Sequence, residues 1–297
     1  MTPLTGTACA AYRVFARRGY HSRARRASPA RRVSVGLLGF LALAWATTAR
    51  AQPRLDEWLS EPYSWHGEVA PGSPVTLVNE HGDLRVRGKP SDELEIVGYL
   101  QHHVDDGREI AVEPVRSEDG WRLEVRMAAS AAEEVPADWA GRRVDLTVYV
   151  PWSSPLTVRT RDGVLEALDL RAPLVVETAS GNLLAGGDGD LTVESRSGSV
   201  RVVLQEPDWS STATIETFSG PVSVWARPDA DTAVSLETRG TLTTDFSLEV
   251  ERLDDSLRRA RARLGAATGT VRVTSYQAPL ALREVVPAAV HRAEPEG

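Results

Sequence analysis

Apolar and polar residues alternate along most of this chain, and from position 156 the alternation settles into a recurring phrase. It reads apolar-x-apolar-x-Thr/Ser, a corner containing glycine, then apolar-x-apolar. The phrase runs Leu156, Val158, Thr160 before Gly163; Leu174, Val176, Thr178 before Gly181; and Leu191, Val193, Ser195 before Gly198. It returns as Ala213, Ile215, Thr217 before Gly220 and as Val234, Leu236, Thr238 before Gly240. Successive starts lie 18, 17, 22 and 21 residues apart. A period of two specifies strands, and the glycines are expected to supply the positive φ of a tight corner. The repeat is too short for a β-α-β unit. It predicts an all-β fold: a β-solenoid, a single-stranded β-helix-like stack of short strands with Gly corners, each rung burying its inner face on its neighbours.

The same pattern divides the chain. Residues 52–74 read as a lead-in, with a loop at Ala70-Pro71-Gly72-Ser73-Pro74 and strands from about Val75. From 75 to 155 the alternation has longer strands and lacks the glycine punctuation, as in Val144, Leu146, Val148 and Val150. Ala128 to Arg142 reads as an exposed excursion. The regular repeats occupy 156–285 with one interruption. Leu253, Leu257 and Leu264 fall at helical spacing, with Asp254 and Asp255 early and Arg258, Arg259, Arg261 and Arg263 late, a charge order that complements a helix dipole. A short helix or ordered loop is therefore expected over 253–264. A last repeat at Gly269 to Val273 follows, Leu280 and Leu282 close the stack, and 286–297 is expected to fray.

The first 51 residues carry nine arginines and no acid, then an apolar stretch from Val33 to Ala46 and Ala49-Arg50-Ala51 before Gln52. This is the form of a secretory signal peptide cleaved after Ala51, too short in its apolar part for a bilayer span. Its long basic region reflects either a start further in or a twin-arginine route through Arg31-Arg32. With no Cys at the cleavage site, lipid anchoring there is not expected. Cleavage leaves 25 basic and 41 acidic residues, 25 − 41 = −16, which argues against nucleic acid and anionic lipid surfaces as partners. No transmembrane segment remains after it. Cys9, the single cysteine, lies in the leader, so thiol catalysis, disulfides and cysteine-held metals are excluded from the mature chain.

Several phrases resemble a bacterial family of putative adhesins, a domain of unknown function with a β-solenoid fold. They are Val78-Asn79-Glu80-His81-Gly82-Asp83-Leu84-Arg85-Val86, Leu146-Thr147-Val148-Tyr149-Val150-Pro151 running into Leu156-Thr157-Val158-Arg159-Thr160, and the corners Thr178-Ala179-Ser180-Gly181 and Ser195-Arg196-Ser197-Gly198. The likeness covers about residues 70–285. The chain departs from it at Thr274-Ser275-Tyr276-Gln277-Ala278-Pro279, where the family pattern puts Ser-Gly, and in the length of its Arg-rich insert. The resemblance implies a periplasmic or extracellular protein of the cell envelope, and it implies no particular ligand.

Candidate chemistry is sparse. The residue before the inward Thr/Ser is acidic in four repeats: Glu177, Glu194, Glu216 and Glu237. In-register stacking would set these carboxylates about 4.8 Å apart, where two charges repel by roughly 0.9 kcal/mol in water. Either Arg161, Arg196 and Arg239 screen the column, or it is a binding stripe for Ca²⁺ or a basic partner. The column Thr160, Thr178, Ser195, Thr217 and Thr238 is expected to bond to corner backbone. Gly186-Gly187-Asp188-Gly189-Asp190 resembles calcium-binding nonapeptide repeats, yet it occurs once with its acid one place early, and it reads as a turn. His102-His103 with Asp105 and Asp106 has the residue types to hold a metal, yet adjacent histidines in a strand point to opposite faces, and the segment reads as exposed loop. Glu133-Glu134 has no apolar pocket around it. Trp139, Trp152 and Trp209 lie beside prolines, where rings either cap a core or stack on sugar. No catalytic, cofactor-binding or metal-ligating set emerges. The expectation is an exported, non-catalytic envelope protein with an adhesin-like binding or structural role, contacting an envelope protein or glycan. The alternatives are a polysaccharide-acting enzyme on a β-helix scaffold and an envelope-stress sensor or partner-binding domain.

Overall fold

The computed structural model describes residues 58–104, 110–118, 120–127, 142–204 and 209–285, and every regular element among them is a strand. The predicted leader, the excursion at 128–141 and the terminal segment 286–297 lie outside the described residues. The first strands are β1 (Trp58–Glu68), β2 (Val75–Asn79), β3 (Leu84–Lys89), β4 (Glu93–His103), β5 (Ile110–Ser117), β6 (Gly120–Met127) and β7 (Arg142–Pro151). The regular repeats give β8 (Leu156–Thr160), β9 (Val164–Leu170), β10 (Leu174–Thr178), β11 (Asn182–Gly187), β12 (Leu191–Ser195), β13 (Val200–Leu204), β14 (Thr212–Thr217) and β15 (Val222–Ala226). The last are β16 (Thr232–Thr238), β17 (Leu242–Thr244), β18 (Glu249–Arg252), β19 (Arg258–Leu264), β20 (Gly269–Ser275) and β21 (Leu280–Glu284).

These strands form two sheets. One has ten strands in the order β1-β4-β7-β3-β9-β11-β13-β15-β21-β17, the other eleven in the order β18-β19-β16-β20-β14-β12-β10-β8-β2-β6-β5. Each repeat gives its first strand to the larger sheet, turns at the corner, and gives its second to the smaller. Like strands then pair in parallel and in register: Val158, Val176, Val193 and Ile215 lie side by side, as do Ala167, Ala185, Val202 and Val224 on the facing sheet. All eight are fully buried, because alternation sends every second side chain into the space between the sheets. The expected stack of short strands is present.

Three expectations change. First, strands begin at Trp58: β1 pairs antiparallel with β4, which pairs antiparallel with β7, so the lead-in extends the smaller sheet. Second, no helix forms at 253–264. The segment turns at Asp254 and becomes β19, antiparallel to both β16 and β18. Ala260, Ala262 and Leu264 face the core while Arg259, Arg261 and Arg263 alternate outward, so the period is two. Third, chain order is not stacking order. β20 lies between β14 and β16, and β21 between β15 and β17. The last repeat in sequence is an interior rung, and β16 and β17 with the β18–β19 hairpin close the stack.

The corner glycines also have a second cause. Gly82, Gly163 and Gly198 do have positive φ, but no positive φ is recorded at Gly181 or Gly220. There a Cβ would run into the carbonyl oxygen of the corner glycine one rung away, Gly163 and Gly198 respectively. Close approach of stacked backbones, more than backbone handedness, reserves those two positions for glycine.

Candidate functional site

At the end of each first strand three consecutive residues have different fates. The middle one points inward, and the residues on either side of it point outward. In spatial order the inward column is Asn79, Thr160, Thr178, Ser195, Thr217, Ser275 and Thr238. These side chains serve the corners. Thr160 Oγ1 donates to the Asp162 carbonyl at 3.0 Å, Ser195 Oγ to the Ser197 carbonyl at 3.0 Å and Thr238 Oγ1 to the Ala278 carbonyl at 2.7 Å. Ser275 Oγ accepts the Ala278 N–H at 2.9 Å, which closes the final corner without the expected Ser-Gly. Asn79 takes the same position and donates to the Val144 carbonyl at 2.8 Å. Asn79 and Ser275 were not foreseen as members, though aligning their phrases on the repeat would have found them.

The residue before each of these forms an outward stripe. In space it reads Val78, Arg159, Glu177, Glu194, Glu216, Thr274, Glu237, and then Arg259 on the antiparallel neighbour. Glu177, Glu194 and Glu216 are therefore neighbours as predicted, whereas Glu237 is set apart by Thr274. The screening partners differ from those expected. Arg159 forks onto Glu177 with both contacts at 3.1 Å, and Arg259 grips Glu237 at 2.8 and 3.0 Å. Arg161 turns to Glu80 at 3.6 Å, and Arg239 to Asp254 at 3.2 Å and Ser256 Oγ at 2.7 Å. Among the described residues Glu194 and Glu216 make no ion pair, and neither does Arg196. The stripe is thus neutralised at its ends and bare in the middle.

The residue after each hydroxyl forms a second ridge: Arg161, Ala179, Arg196, Phe218, Tyr276 and Arg239. Corner hydrogen bonds hold it in line, as in Phe218 N–H to Ser195 O at 3.1 Å and Tyr276 N–H to Thr217 O at 3.0 Å. Phe218 and Tyr276 stack with ring centroids 5.2 Å apart and planes within 8°, and both remain more than half exposed. The Arg239 guanidinium stands 5.7 Å from the Tyr276 ring centre. Between stripe and ridge runs a groove of about 910 Å³, lined by residues of all six strands from β8 to β16 and by Leu257 at one end. Leu257 is positioned by its turn. Its N–H and that of Ser256 donate to the Asp254 carboxylate and hold that group's pKa down to about 2, with a smaller contribution from Arg239.

Other candidates fall outside this groove. Trp209 is buried in the core, and one face of Trp152 is covered by the Arg171 guanidinium at 3.7 Å. His102 and His103 end strand β4 instead of lying in a loop. Asp188 and Gly189 form a bend, and Asp190 accepts the Thr212 N–H at 2.7 Å in a structural turn. Among the described residues no cluster of three or more His, Cys, Asp or Glu is set to hold a metal. Glu194 and Glu216 alone fall well short of the six to eight oxygens that Ca²⁺ takes.

The fold is thus a two-sheet stack of short parallel strands carrying a lateral, mixed-charge groove. No family model and no curated protein matches the chain. Among solved structures it is similar to a "putative cell adhesion protein" from Clostridium sporogenes ATCC 15579, with a TM-score of 0.45 and 12% identity over 76% of this chain and 100% of that one. It is also similar to a "putative adhesin" from Bacteroides fragilis NCTC 9343, with a TM-score of 0.28 and 9% identity over 76% of this chain and 97% of that one. A third, a "putative adhesin" from Parabacteroides distasonis ATCC 8503, gives a TM-score of 0.26 at 10% identity, again over 76% of this chain and 97% of that one.

Proposed function

We propose that this chain is an exported, non-catalytic β-solenoid protein of the bacterial cell envelope that works by binding, in an adhesin-like role, through the groove between its Glu stripe and its aromatic–arginine ridge. The observation that carries this reading is the set of groups the fold leaves unused there. Glu194, Glu216 and Arg196 have no ion-pair partner among the described residues, and two stacked rings stay more than half exposed beside them. Such groups on a rigid stack of strands suit recognition, since they lose little freedom when a ligand arrives. The leader predicted at residues 1–51 supports export.

The same geometry favours binding over hydrolysis. Acid catalysis on a glycosidic bond needs two carboxyl groups flanking that bond. Here the acids share one wall, and the facing wall holds arginines and aromatic rings, with no histidine or lysine in the lining. The test uses fluorescently labelled residues 52–297 on intact bacterial cells. Saturable binding is expected, and it should disappear in the combined Phe218→Ala, Glu194→Gln, Glu216→Gln variant. Equal binding by that variant would remove the groove from the function. Release of product from any glycan would overturn the non-catalytic reading. Fractionation with N-terminal sequencing should find the mature protein outside the cytoplasm, beginning at Gln52.

A further inference from the structure

The two walls of the groove carry opposite charge, and this restricts what can lie between them. Glu177, Glu194, Glu216 and Glu237 stand along one side with Arg159 at its end, and Arg196 and Arg239 stand along the other. A polycation would meet the guanidiniums, and a polyanion would meet the carboxylates. Glu177, Glu237 and Arg239 are in any case already held in ion pairs. The groups left over, Glu194 and Glu216 against Arg196, sum to a single negative charge spread over both walls.

A neutral chain dense in hydroxyls meets both walls well. Hydroxyls donate to Glu194 and Glu216 on one side and accept from Arg196 on the other, and bonds with a charged partner are the stronger kind. Phe218 and Tyr276 are stacked on each other, so the apolar surface they offer to the C–H groups of a sugar is that of their exposed ring edges. The period also fits. Equivalent side chains recur every ~4.8 Å along the stack, so six strands give a track of roughly 24 Å. That step is close to the length of one sugar in a linear chain of pyranoses, so successive sugars would meet successive rungs. An extended peptide gains nothing comparable. The groove runs across the strands, and no free sheet edge lies along it for a peptide backbone to pair with.

We infer that the groove binds a linear, uncharged polysaccharide, with Glu194, Glu216 and Arg196 reading hydroxyls and the exposed edges of Phe218 and Tyr276 packing against the C–H groups of one sugar. This rests on the binding role proposed above and names its ligand class. Calorimetric titration of residues 52–297 with cello-, xylo-, manno- and N-acetylchito-oligosaccharides of increasing length is the test. One series should bind, tightening with each added sugar until the track is full. Phe218→Ala should weaken it about five- to tenfold, and Glu194→Gln by about tenfold. All these positions are on the surface, so thermal melting can establish that each variant is folded. Binding by none of the series, or binding of equal strength by both variants, overturns the inference, as does tighter capture of an oligolysine peptide. Periodate treatment of the cells separates this idea from the broader one. Adhesion that depends on the groove yet survives periodate leaves the binding role standing and eliminates the polysaccharide.

Discussion

Acids that occupy the same place in the repeated phrase should respond to neutralisation in opposite ways. Glu194 and Glu216 are direct neighbours on adjacent parallel strands and make no ion pair among the described residues. At ~4.8 Å in water their repulsion is about 0.9 kcal/mol. Glu194→Gln removes it, and so does Glu216→Gln, so each should stabilise by up to about 0.9 kcal/mol. The double variant should gain less than the sum of the two single ones, the non-additivity expected of a contacting pair. In a domain of this size that corresponds to a rise in Tm of about 2–4 °C. Glu237→Gln should do the reverse. It releases Arg259, whose two contacts with Glu237 are partly sheltered from solvent, at a cost of about 0.5–1 kcal/mol. Calorimetry at low ionic strength and again in roughly 1 M NaCl, where the screening length falls to about 3 Å, reads both effects. Gains that add, gains that survive high salt, or a stabilising Glu237→Gln would refute the register on which the groove depends.

Three further outcomes follow from the fold. Gly220→Ala should lower stability by about 3 kcal/mol or more, because its Cβ would meet the Gly198 carbonyl of the adjacent rung. Gly72→Ala, with φ of +75° and open space around it, should cost only about 1 kcal/mol; urea unfolding with an unchanged m-value compares the two. Deleting residues 269–297 removes an interior rung, leaving β14 and β16 without the strand between them. The product should lose its cooperative melt and become protease-sensitive, and a folded, merely shortened protein would show that β20 does not lie where described. Asp254 has a pKa lowered to about 2 by the N–H groups of Leu257 and Ser256. A carboxyl whose folded pKa lies below its unfolded one contributes fully above pH ~4, and that contribution fades as the pH falls toward 2. Amide exchange at Leu257 and in the β18–β19 hairpin should quicken over that interval, and a carbon-detected titration of Asp254 centred near 4 would contradict it.

Much of the architecture was legible because it depends on one-dimensional signals. Val158, Val176, Val193 and Ile215 are inward for the same reason they alternate, and any aligned pair of repeats puts them in one column. The acids at the preceding position follow by the same logic, as does Arg159, which occupies the Glu position one repeat earlier. What was hidden depends on neighbours that the phrase does not specify. Arg259 reaches Glu237 from an antiparallel strand, so no repeat alignment could supply it. The β19 segment escaped because its inner face is built from Ala260 and Ala262, residues too small to mark alternation, while Leu253, Leu257 and Leu264 happened to fall at helical spacing. The placement of β20 was beyond reach for a different reason. β14 and β16 both offer a parallel edge of matching pattern, and the long excursion through β17, β18 and β19 frees the chain to return between them.

That returning rung, together with the way the sheets end, bears on where binding can occur. A stack of parallel strands exposes an unpaired edge at each end, which invites another strand to add. Here β1 and β5 carry Pro62 and Pro114, which lack the N–H a ladder needs. At the opposite end β17 has only three residues, and β18 reads Glu-Val-Glu-Arg. Both ends are therefore poor templates, and end-to-end polymerisation is disfavoured. Among the described residues the core between the sheets is filled by apolar side chains. What remains is the side of the stack, where the residues flanking each inward hydroxyl belong to neither core nor ladder. Substitutions there leave the rung intact, since Thr217 and Ser195 still hold their corners whatever stands beside them. Chemistry can be written along that line without cost to the scaffold, and it is along that line that Phe218 stands in the open and that Glu194, Glu216 and Arg196 stand without salt-bridge partners among the described residues. Locking the final rung inside the stack then keeps the six strands beneath them in fixed register, which a ligand spanning several rungs requires.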